Sequence, residues 1–238
     1  MNRKKCCAIV LSAGKGKRMN ADTAKQYLNL CGKPVIYYCL KAFEESFIDD
    51  IYIVAGEQDI EYLHNEIVTK YGIKKVRAIV KGGAERYHSV MNGLNAIDDC
   101  EYVFIHDGAR PFVDNAMLDN AYECVERYKS AIVSVPSKDT IKIVDDDNTA
   151  VSTPDRKHVR LMQTPQVFSF AEIRAAYSQM IEKEADILSK GIVITDDAMV
   201  MENFGTVPIK VVDGSYRNIK ITTPEDMIIA EAFLTGKA

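Results

Sequence analysis

The feature that most constrains the fold of this chain is a regular alternation of short apolar runs and helical patterns over residues 1–135. The apolar runs are rich in β-branched residues and are typical of buried strands. They cover residues 6–11, 51–55, 76–80, 102–106 and 131–135. Helical patterns begin near Pro34, Asp59, Arg86 and Asn115. We therefore predict an α/β fold with a mostly parallel sheet, right-handed crossovers and helices on both faces.

The pattern changes after residue 135. Two strand-like segments, 140–144 and 150–153, flank the turn-forming residues 145–148. Because no helical pattern lies beside them, we predict a projecting β-hairpin arm over residues 137–156 that needs a partner surface. Beyond the arm, the sequence predicts helices at 170–184, 196–204 and 224–234 and strands at 207–212 and 218–222. We find no linker or internal repeat in the sequence and expect one domain over residues 1–238.

The composition argues against several classes of function. The net charge of -4 is unlike that of a general nucleic-acid-binding protein, so an anionic ligand must be held by a local basic cluster. The six cysteines form no CxxC pair and there are four histidines, which argues against a zinc or redox site. No run reaches the roughly 18 apolar residues of a membrane span, and the apolar run at 6–11 is short for a signal peptide. We expect a cytoplasmic protein without a membrane segment.

A glycine-containing loop follows the first predicted strand. Residues 12–19 read SAGKGKRM, and the two glycines let the backbone fold closely around an anion while the basic residues add charge. The loop lacks the third glycine of a dinucleotide-binding fingerprint and does not match the P-loop pattern. It predicts a basic site for a triphosphate, extended by Lys25; the alternative is an ordinary tight turn.

A pair of glycines, Gly82 and Gly83, follows the third predicted strand and precedes a helix. Backbone amides at such a helix start are available to a ligand. Together with the hydroxyl of Ser89 they could match the hydrogen-bonding edge of a pyrimidine. The alternative is a helix entry that binds nothing.

Asp107 lies at the end of the fourth predicted strand. In this type of sheet, a carboxylate at that position can bind a ribose hydroxyl or a metal ion. Arg110 follows three residues later and can pair with a phosphate, although an internal ion pair between the two is the alternative. We expect His106 to be a packed strand residue rather than a general base. Lys220 lies in a short, mostly apolar predicted strand and should face solvent or a bound anion.

Nine motifs carry a resemblance to a known family. In chain order they are SAGKGKRM, KQYLNLCGKPV, GGAERYHSV, HDGARPF, DTIK, TPDR, QTPQVF, TDDA and NIKITTPEDM. From about residue 6 to residue 235 the chain resembles the 2-C-methyl-D-erythritol 4-phosphate cytidylyltransferases. The resemblance implies a Rossmann-like nucleotidyltransferase fold and transfer of CMP from CTP to 2-C-methyl-D-erythritol 4-phosphate, with release of pyrophosphate, in the non-mevalonate isoprenoid pathway. It also implies dependence on Mg²⁺ and a homodimer that exchanges β-arms.

The resemblance implies roles for individual residues as well. The CTP site would comprise Ser12, Ala13, Gly14, Gly16, Gly83, Ala84, Ser89 and Asp107. The catalytic residues would be Arg18, Lys25, Arg156 and Lys220. The acceptor would be bound by Arg110, Thr140, Arg156, Thr164 and Lys220, some of them acting across the dimer. Mg²⁺ would be held mainly by the phosphates of CTP, with Asp107 as a candidate protein ligand.

The chain departs from the family pattern at three places. Ser12 stands where the family usually has Ala, and Ala84 stands where it usually has Asp. If Ala84 contributes no side-chain contact, recognition of the base must rest on backbone amides and Ser89. Val159 and Arg160 replace a Leu-Trp pair, which concerns local packing.

Three other functions are consistent with parts of the sequence. An enzyme of the same fold that uses ribitol 5-phosphate is the nearest, although Tyr27 and the Ala-Arg-Pro of residues 109–111 favour the erythritol substrate. A glycosyltransferase with a metal-binding DDD at 145–147 is the second, although these residues are better explained as a solvated hairpin tip. An inactive nucleotide-binding regulator is the third.

Overall fold

The computed structural model describes residues 3–14 and 24–236. The strands are β1 (Cys6–Ser12), β2 (Asn29–Leu30), β3 (Lys33–Pro34), β4 (Asp50–Ala55), β5 (Val76–Lys81), β6 (Tyr102–Asp107), β7 (Ser130–Pro136), β8 (Ile143–Val144), β9 (Ala150–Ser152), β10 (Arg160–Ser169) and β11 (Val211–Asp213). The α-helices are α1 (Val35–Glu44), α2 (Ile60–Tyr62), α3 (Arg86–Asn95), α4 (Asn115–Tyr128), α5 (Phe170–Glu182), α6 (Glu184–Ser189), α7 (Asp197–Phe204) and α8 (Pro224–Thr235). Short 3₁₀ turns occur at Lys25–Tyr27, Glu57–Asp59 and Arg156–His158, and α2 continues as a π-helix over Leu63–Thr69.

The main sheet has seven strands in the order β11-β7-β10-β6-β1-β4-β5. Strands β5, β4, β1 and β6 pair in parallel, as do β7 and β11, whereas β10 is antiparallel to both of its neighbours. The predicted α/β class with a mostly parallel sheet is therefore confirmed. In such a sheet the strand ends that carry the ligand-binding loops lie on one edge.

Helices cover both faces of the sheet because successive residues of a strand point to opposite sides. In β1, Ala8 and Val10 belong to a core cluster that includes side chains of α1 and α4. Cys7 and Ile9 belong to a second cluster, which includes side chains of α3, α5 and α7. All four side chains are fully buried. The continuous apolar run at residues 6–11 thus corresponds to a strand buried on both faces.

Strand β10 was missed by sequence analysis. Its sequence contains Pro165 and two glutamines, which obscure the strand pattern, and proline cannot donate a hydrogen bond to a neighbouring strand. The structure accommodates the proline where the pairing with β7 changes register, between Met162 and Gln166. As a result, β10 inserts between β6 and β7 and places Thr164 beside the end of β6.

The predicted strand at 218–222 is wrong. This segment forms no strand; it crosses the end of β6, where the Ile221 amide donates to the Ala109 carbonyl at 2.8 Å. The Asn218 side chain donates to the Thr164 carbonyl at 2.9 Å. This side-chain hydrogen bond takes the place of a backbone hydrogen bond that a paired strand would make. The strand predicted at 207–212 is observed only as β11, displaced towards its carboxyl end.

The arm is present as a separate two-stranded sheet made of β8 and β9. Both strands are shorter than predicted. Ile143, Val144 and Val151 are 50%, 49% and 65% exposed, so the arm presents apolar side chains to solvent within one chain. A lone two-stranded hairpin is only marginally stable in water.

In the described part of the chain no helix is long and apolar enough to cross a membrane.

Candidate active site

A cleft of about 590 Å³ opens at the carboxyl ends of β1, β5 and β6. It is lined by Leu11, Ala13, Gly14, Lys25, Gln26, Gly83, Ala84, Glu85, Arg86, Ser89, Asp107, Ala109 and Lys220. Described residues of all three loops that the sequence singled out therefore line one cleft, together with Lys220 from the 218–222 segment.

The described start of the first loop, residues 12–14, is held from inside the protein by Gln26. Its side-chain amide donates to the Ser12 carbonyl at 2.6 Å and to the Gly14 carbonyl at 3.3 Å, and Gln26 is only 2% exposed. The Ser12 hydroxyl donates to the Tyr27 hydroxyl at 2.8 Å and does not line the cleft. Gln26 was missed because an uncharged side chain next to Lys25 gives no sequence signal of its own.

Two residues with predicted roles, Gly16 and Arg18, lie outside the described residues. Lys25 begins the 3₁₀ turn at Lys25–Tyr27 and lines the cleft. The catalytic role of Lys25 stays a prediction at this point, with its position in the cleft as support.

The second loop packs directly against the first. A Cβ atom at Gly82 would lie 2.5 Å from the Ala13 Cβ, so only glycine allows this approach. The Gly83 amide donates to the Ser89 hydroxyl at 3.0 Å, and that hydroxyl donates to the Glu85 carbonyl at 3.2 Å. The Ser89 hydroxyl is therefore already hydrogen-bonded within the loop. If it also contacts the base, as predicted, it must do so in addition to these two bonds.

Helix α3 starts at this loop with a reciprocal cap. The Glu85 side chain accepts from the His88 amide, and His88 Nδ1 lies 3.3 Å from the Glu85 amide, which donates to it. The cap fixes the direction in which α3 leaves the glycine pair. Ala84 and Glu85 both line the cleft.

Asp107 is surrounded by three cations. Its Oδ2 is 2.7 Å from Lys220 Nζ and 3.9 Å from Arg110 Nε, and its Oδ1 is 3.9 Å from Arg86 Nε. Burial alone would raise the pKa of this carboxyl group, but the charges of Lys220, Arg86 and Arg110 lower it well below its usual value. Asp107 is therefore a carboxylate at any physiological pH, and Lys220 is the closest of these three cations.

His106 and Thr164 support Asp107 from behind. His106 Nε2 lies 3.0 Å from the Arg110 carbonyl, which can only accept, so Nε2 carries the proton. The Thr164 hydroxyl, 3.1 Å from Nδ1, then donates to His106 and accepts from the Asp107 amide at 3.1 Å. His106 is a packed strand residue, as expected. Thr164 is 4% exposed and does not line the cleft of this chain.

This arrangement predicts a pH dependence of stability. Burial lowers the pKa of His106 from 6.5 to about 4, so the unfolded chain binds more protons between these values. The free energy of unfolding should fall as the pH drops from about 6.5 to about 4, with about 3 kcal/mol attributable to this residue. Chemical denaturation across this range measures the slope. His106→Asn should be less stable at neutral pH but should show a shallower slope, and an unchanged slope would contradict the prediction.

A buried ion pair next to Asp107 was not predicted from the sequence. Arg86 Nη1 and Nη2 donate to Asp197 Oδ1 and Oδ2 at 2.9 and 2.7 Å. The Tyr177 hydroxyl donates to Asp197 Oδ1 at 2.5 Å. Asp197 belongs to the TDDA motif and Arg86 to GGAERYHSV, but neither was given a role.

The remaining predicted acceptor residues do not line the cleft of their own chain. Arg110 Nη1 donates to the Asn218 carbonyl at 2.7 Å, behind Asp107. Thr140 and Arg156 lie at the root of the arm and are exposed, with Arg156 Nη1 donating to the Lys138 carbonyl at 3.1 Å. A single chain therefore brings Lys220, but not Thr140 or Arg156, to the cleft.

The acidic side chains of the cleft are compatible with Mg²⁺ held mainly by substrate phosphates. Among the residues that the structure describes, no group of three or more acidic, histidine or cysteine side chains could hold a metal ion. Two carboxylates of the described residues line the cleft. Glu85 caps helix α3, so Asp107 is the candidate protein ligand. Mg²⁺ is commonly held by one or two carboxylates together with substrate phosphates, so one carboxylate fits that pattern.

The chain is similar to known proteins of one family. The family model of 2-C-methyl-D-erythritol 4-phosphate cytidylyltransferase (IspD) matches residues 6–236. A relative of that name from Lachnoclostridium phytofermentans is 50% identical over 230 residues, covering 97% of this chain and 96% of the relative. One from Lachnospira eligens is 49% identical, covering 96% and 99%.

Solved structures show the same fold. The crystal structure of 4-diphosphocytidyl-2C-methyl-D-erythritol synthase from Anaerococcus prevotii is 36% identical, with a TM-score of 0.84 over 98% of this chain and 96% of that chain. The enzyme from Francisella tularensis is 30% identical, with a TM-score of 0.76 over 95% and 98%. The Rossmann-like nucleotidyltransferase fold is thus confirmed. The chain belongs to the 2-C-methyl-D-erythritol 4-phosphate cytidylyltransferase family.

Proposed function

We propose that this protein transfers CMP from CTP to 2-C-methyl-D-erythritol 4-phosphate and releases pyrophosphate, in the non-mevalonate route to isoprenoid precursors. The observation that carries the proposal is the cleft in which the glycine loop, Lys25, Asp107 and Lys220 converge, in a chain that matches the family over residues 6–236. The ribitol 5-phosphate alternative gains no support from the relatives described above.

The reaction needs an attack in line on phosphorus. A phosphate oxygen of the acceptor forms a bond to the α-phosphorus of CTP, and the bond to the bridging oxygen breaks, so that pyrophosphate leaves with the electron pair. A phosphate monoester is already an anion near pH 7, so the attacking oxygen needs no strong general base. The buried, neutral His106 is consistent with this requirement.

What the reaction does need is positive charge, because two polyanions must approach each other. The chain has a net charge of -4, so its overall field does not help. We assign Lys25, together with the backbone of Ala13 and Gly14, to the phosphates of CTP, and Lys220 to the acceptor phosphate. Asp107 pairs with Lys220 at 2.7 Å and lines the same cleft as Gly14 and Gly83, and we assign it to the ribose as well.

We further propose that Mg²⁺ is required. It would be held by the phosphates of CTP and by Asp107, and it would neutralise charge that develops on the leaving pyrophosphate.

We propose that the active unit is a homodimer in which the arm reaches the partner. Three observations support it: exposed Ile143, Val144 and Val151 on the arm, the low stability of an isolated hairpin, and the position of Thr140 and Arg156 outside their own cleft. In an exchanged dimer, Arg156 would bind the acceptor in the cleft of the other subunit.

A subunit-mixing experiment tests the exchange. Lys220→Ala and Arg156→Ala are each expected to raise the KM for the acceptor. If Arg156 acts across the dimer, a mixed dimer contains one site with both residues intact and one site with neither. Co-expressed variants should therefore recover about a quarter of the wild-type sites at low acceptor concentration, because half of randomly paired dimers are mixed. If both residues serve their own chain, every site retains one defect and no activity returns.

We also propose a cytoplasmic location, supported by the six cysteines, none of which is in a disulfide.

The activity itself is tested by pyrophosphate release from purified protein with Mg²⁺ and CTP. Methylerythritol phosphate and ribitol 5-phosphate are compared side by side, with a reaction lacking acceptor as the control. We expect a strong preference for methylerythritol phosphate. Preference for ribitol 5-phosphate would retain the CTP site but overturn the acceptor, and no release with either would overturn the activity.

A further inference from the structure

Arg86 is placed by α3 so that one edge of its guanidinium faces Asp107. It is the first residue of the helix and lines the cleft. Its two terminal nitrogens are both used by Asp197, at 2.9 and 2.7 Å. Such bidentate pairing fixes the plane of the guanidinium, because only one orientation serves both oxygens. The remaining nitrogen, Nε, lies 3.9 Å from Asp107 Oδ1.

Asp197 is itself immobilised. Its side chain has no exposed surface, and the Tyr177 hydroxyl donates to it at 2.5 Å. Separating a buried carboxylate from its cation is costly, so the pair is expected to stay closed. Burial alone would lower the pKa of Arg86, but Asp197 raises it, and the guanidinium stays charged. The Arg86 guanidinium is thus held in one orientation beside the cleft.

Asp107 divides its two oxygens between different cations. Oδ1 lies 3.9 Å from Arg86 Nε, whereas Oδ2 lies 2.7 Å from Lys220 Nζ and 3.9 Å from Arg110 Nε. If the Asp107 carboxylate rotated so that Oδ1 moved away from Arg86, Oδ2 would also move and would hold Lys220 in a different direction. The orientation of Lys220 therefore depends in part on the Arg86–Asp197 pair.

We propose that Arg86 and Asp197 are positioning residues that act through Asp107 to aim Lys220 at the acceptor phosphate. The inference rests on the proposed function, in which Lys220 binds that phosphate, and it adds two residues that do not themselves touch the acceptor. It implies that disturbing the pair changes acceptor binding and leaves CTP binding largely intact.

Arg86→Lys is the first test, because lysine keeps the charge but cannot bridge two carboxylate oxygens. We expect the KM for the acceptor to rise roughly tenfold and the KM for CTP to stay nearly constant, an effect of the size found between coupled neighbours. In a Lys220→Met background, Arg86→Lys should have little further effect, because the residue through which it acts is gone. Steady-state kinetics of the four proteins complete the cycle.

Asp197→Asn is the second variant and should reproduce the acceptor defect without adding to that of Arg86→Lys. Arg77→Lys is the matched control. Arg77 pairs with the buried Asp50 where β4 begins, at the opposite end of the sheet, and this change should leave both KM values unaltered.

Three outcomes would overturn the inference: a raised KM for CTP instead of the acceptor, additive losses of Arg86→Lys and Lys220→Met, or a lower melting temperature with unchanged KM values. Inactivity of the wild-type protein with both acceptors would instead overturn the proposed function.

Discussion

Lys25→Ala is expected to lower kcat by a hundred- to a thousandfold, the usual loss for one preorganised donor in a transition state. Lys25 lines the cleft next to Gln26, which ties the glycine loop to the same 3₁₀ turn. The backbone of Lys25 is therefore held near Ser12 and Gly14, beside which we place the phosphates of CTP. Because charge grows on the leaving pyrophosphate during the reaction, the lysine should matter more in the transition state than in the CTP complex.

The measurement is kcat from pyrophosphate release, together with the Kd for CTP from calorimetry. Lys41→Ala is a suitable control, because Lys41 forms an exposed ion pair with Glu45 along α1 at 2.9 Å, and we expect no change in either value. Equal losses in kcat and CTP affinity would show that Lys25 serves binding alone.

Lys220→Ala is expected to raise the KM for the acceptor by ten- to a hundredfold, with a smaller effect on CTP. The variant removes the cation that we assign to the acceptor phosphate, and charge-assisted bonds of this kind contribute about 1.5–3 kcal/mol. Steady-state kinetics with each substrate varied in turn separate the two effects. A dominant rise in the KM for CTP would contradict the assignment.

The same variant should be more sensitive to acid. The lowered pKa of Asp107 contributes stability that is present above the usual carboxyl pKa of about 3.9 and is lost as the pH falls through the lowered value. Without Lys220 the pKa of Asp107 rises, so acid unfolding should begin at a higher pH. Lys220→Met, which keeps an apolar stem, should show the same shift. If acid unfolding is unchanged in both variants, Lys220 is not the dominant partner of Asp107.

Local signals in the sequence were sufficient where one segment determines its own structure. Strand β6 has an uninterrupted apolar run that ends at Asp107, so the strand itself and Asp107 as a candidate site residue were predicted. Strand β10 was not predicted, because Pro165 and polar residues obscure its strand pattern. Its pairing with β7 also shifts register between Met162 and Gln166. The segment at 218–222 was predicted to be a strand because apolar residues alternate there, and that prediction was wrong. The segment instead crosses the end of the sheet and places Lys220 beside Asp107.

The sequence by itself determined the α/β class, the two glycine loops, and Lys25, Asp107 and Lys220 as candidates, because period, glycine pairs and isolated charges are properties of neighbouring residues. Only the tertiary structure decided which charges meet. Arg86 and Asp197 are 111 residues apart, and their pairing follows from the packing of α3 against the segment that begins α7. Once such a pair is buried, separating its two charges is strongly destabilising. The neighbouring sequence does not reveal the pair, because an exposed arginine and an exposed aspartate have the same local sequence pattern.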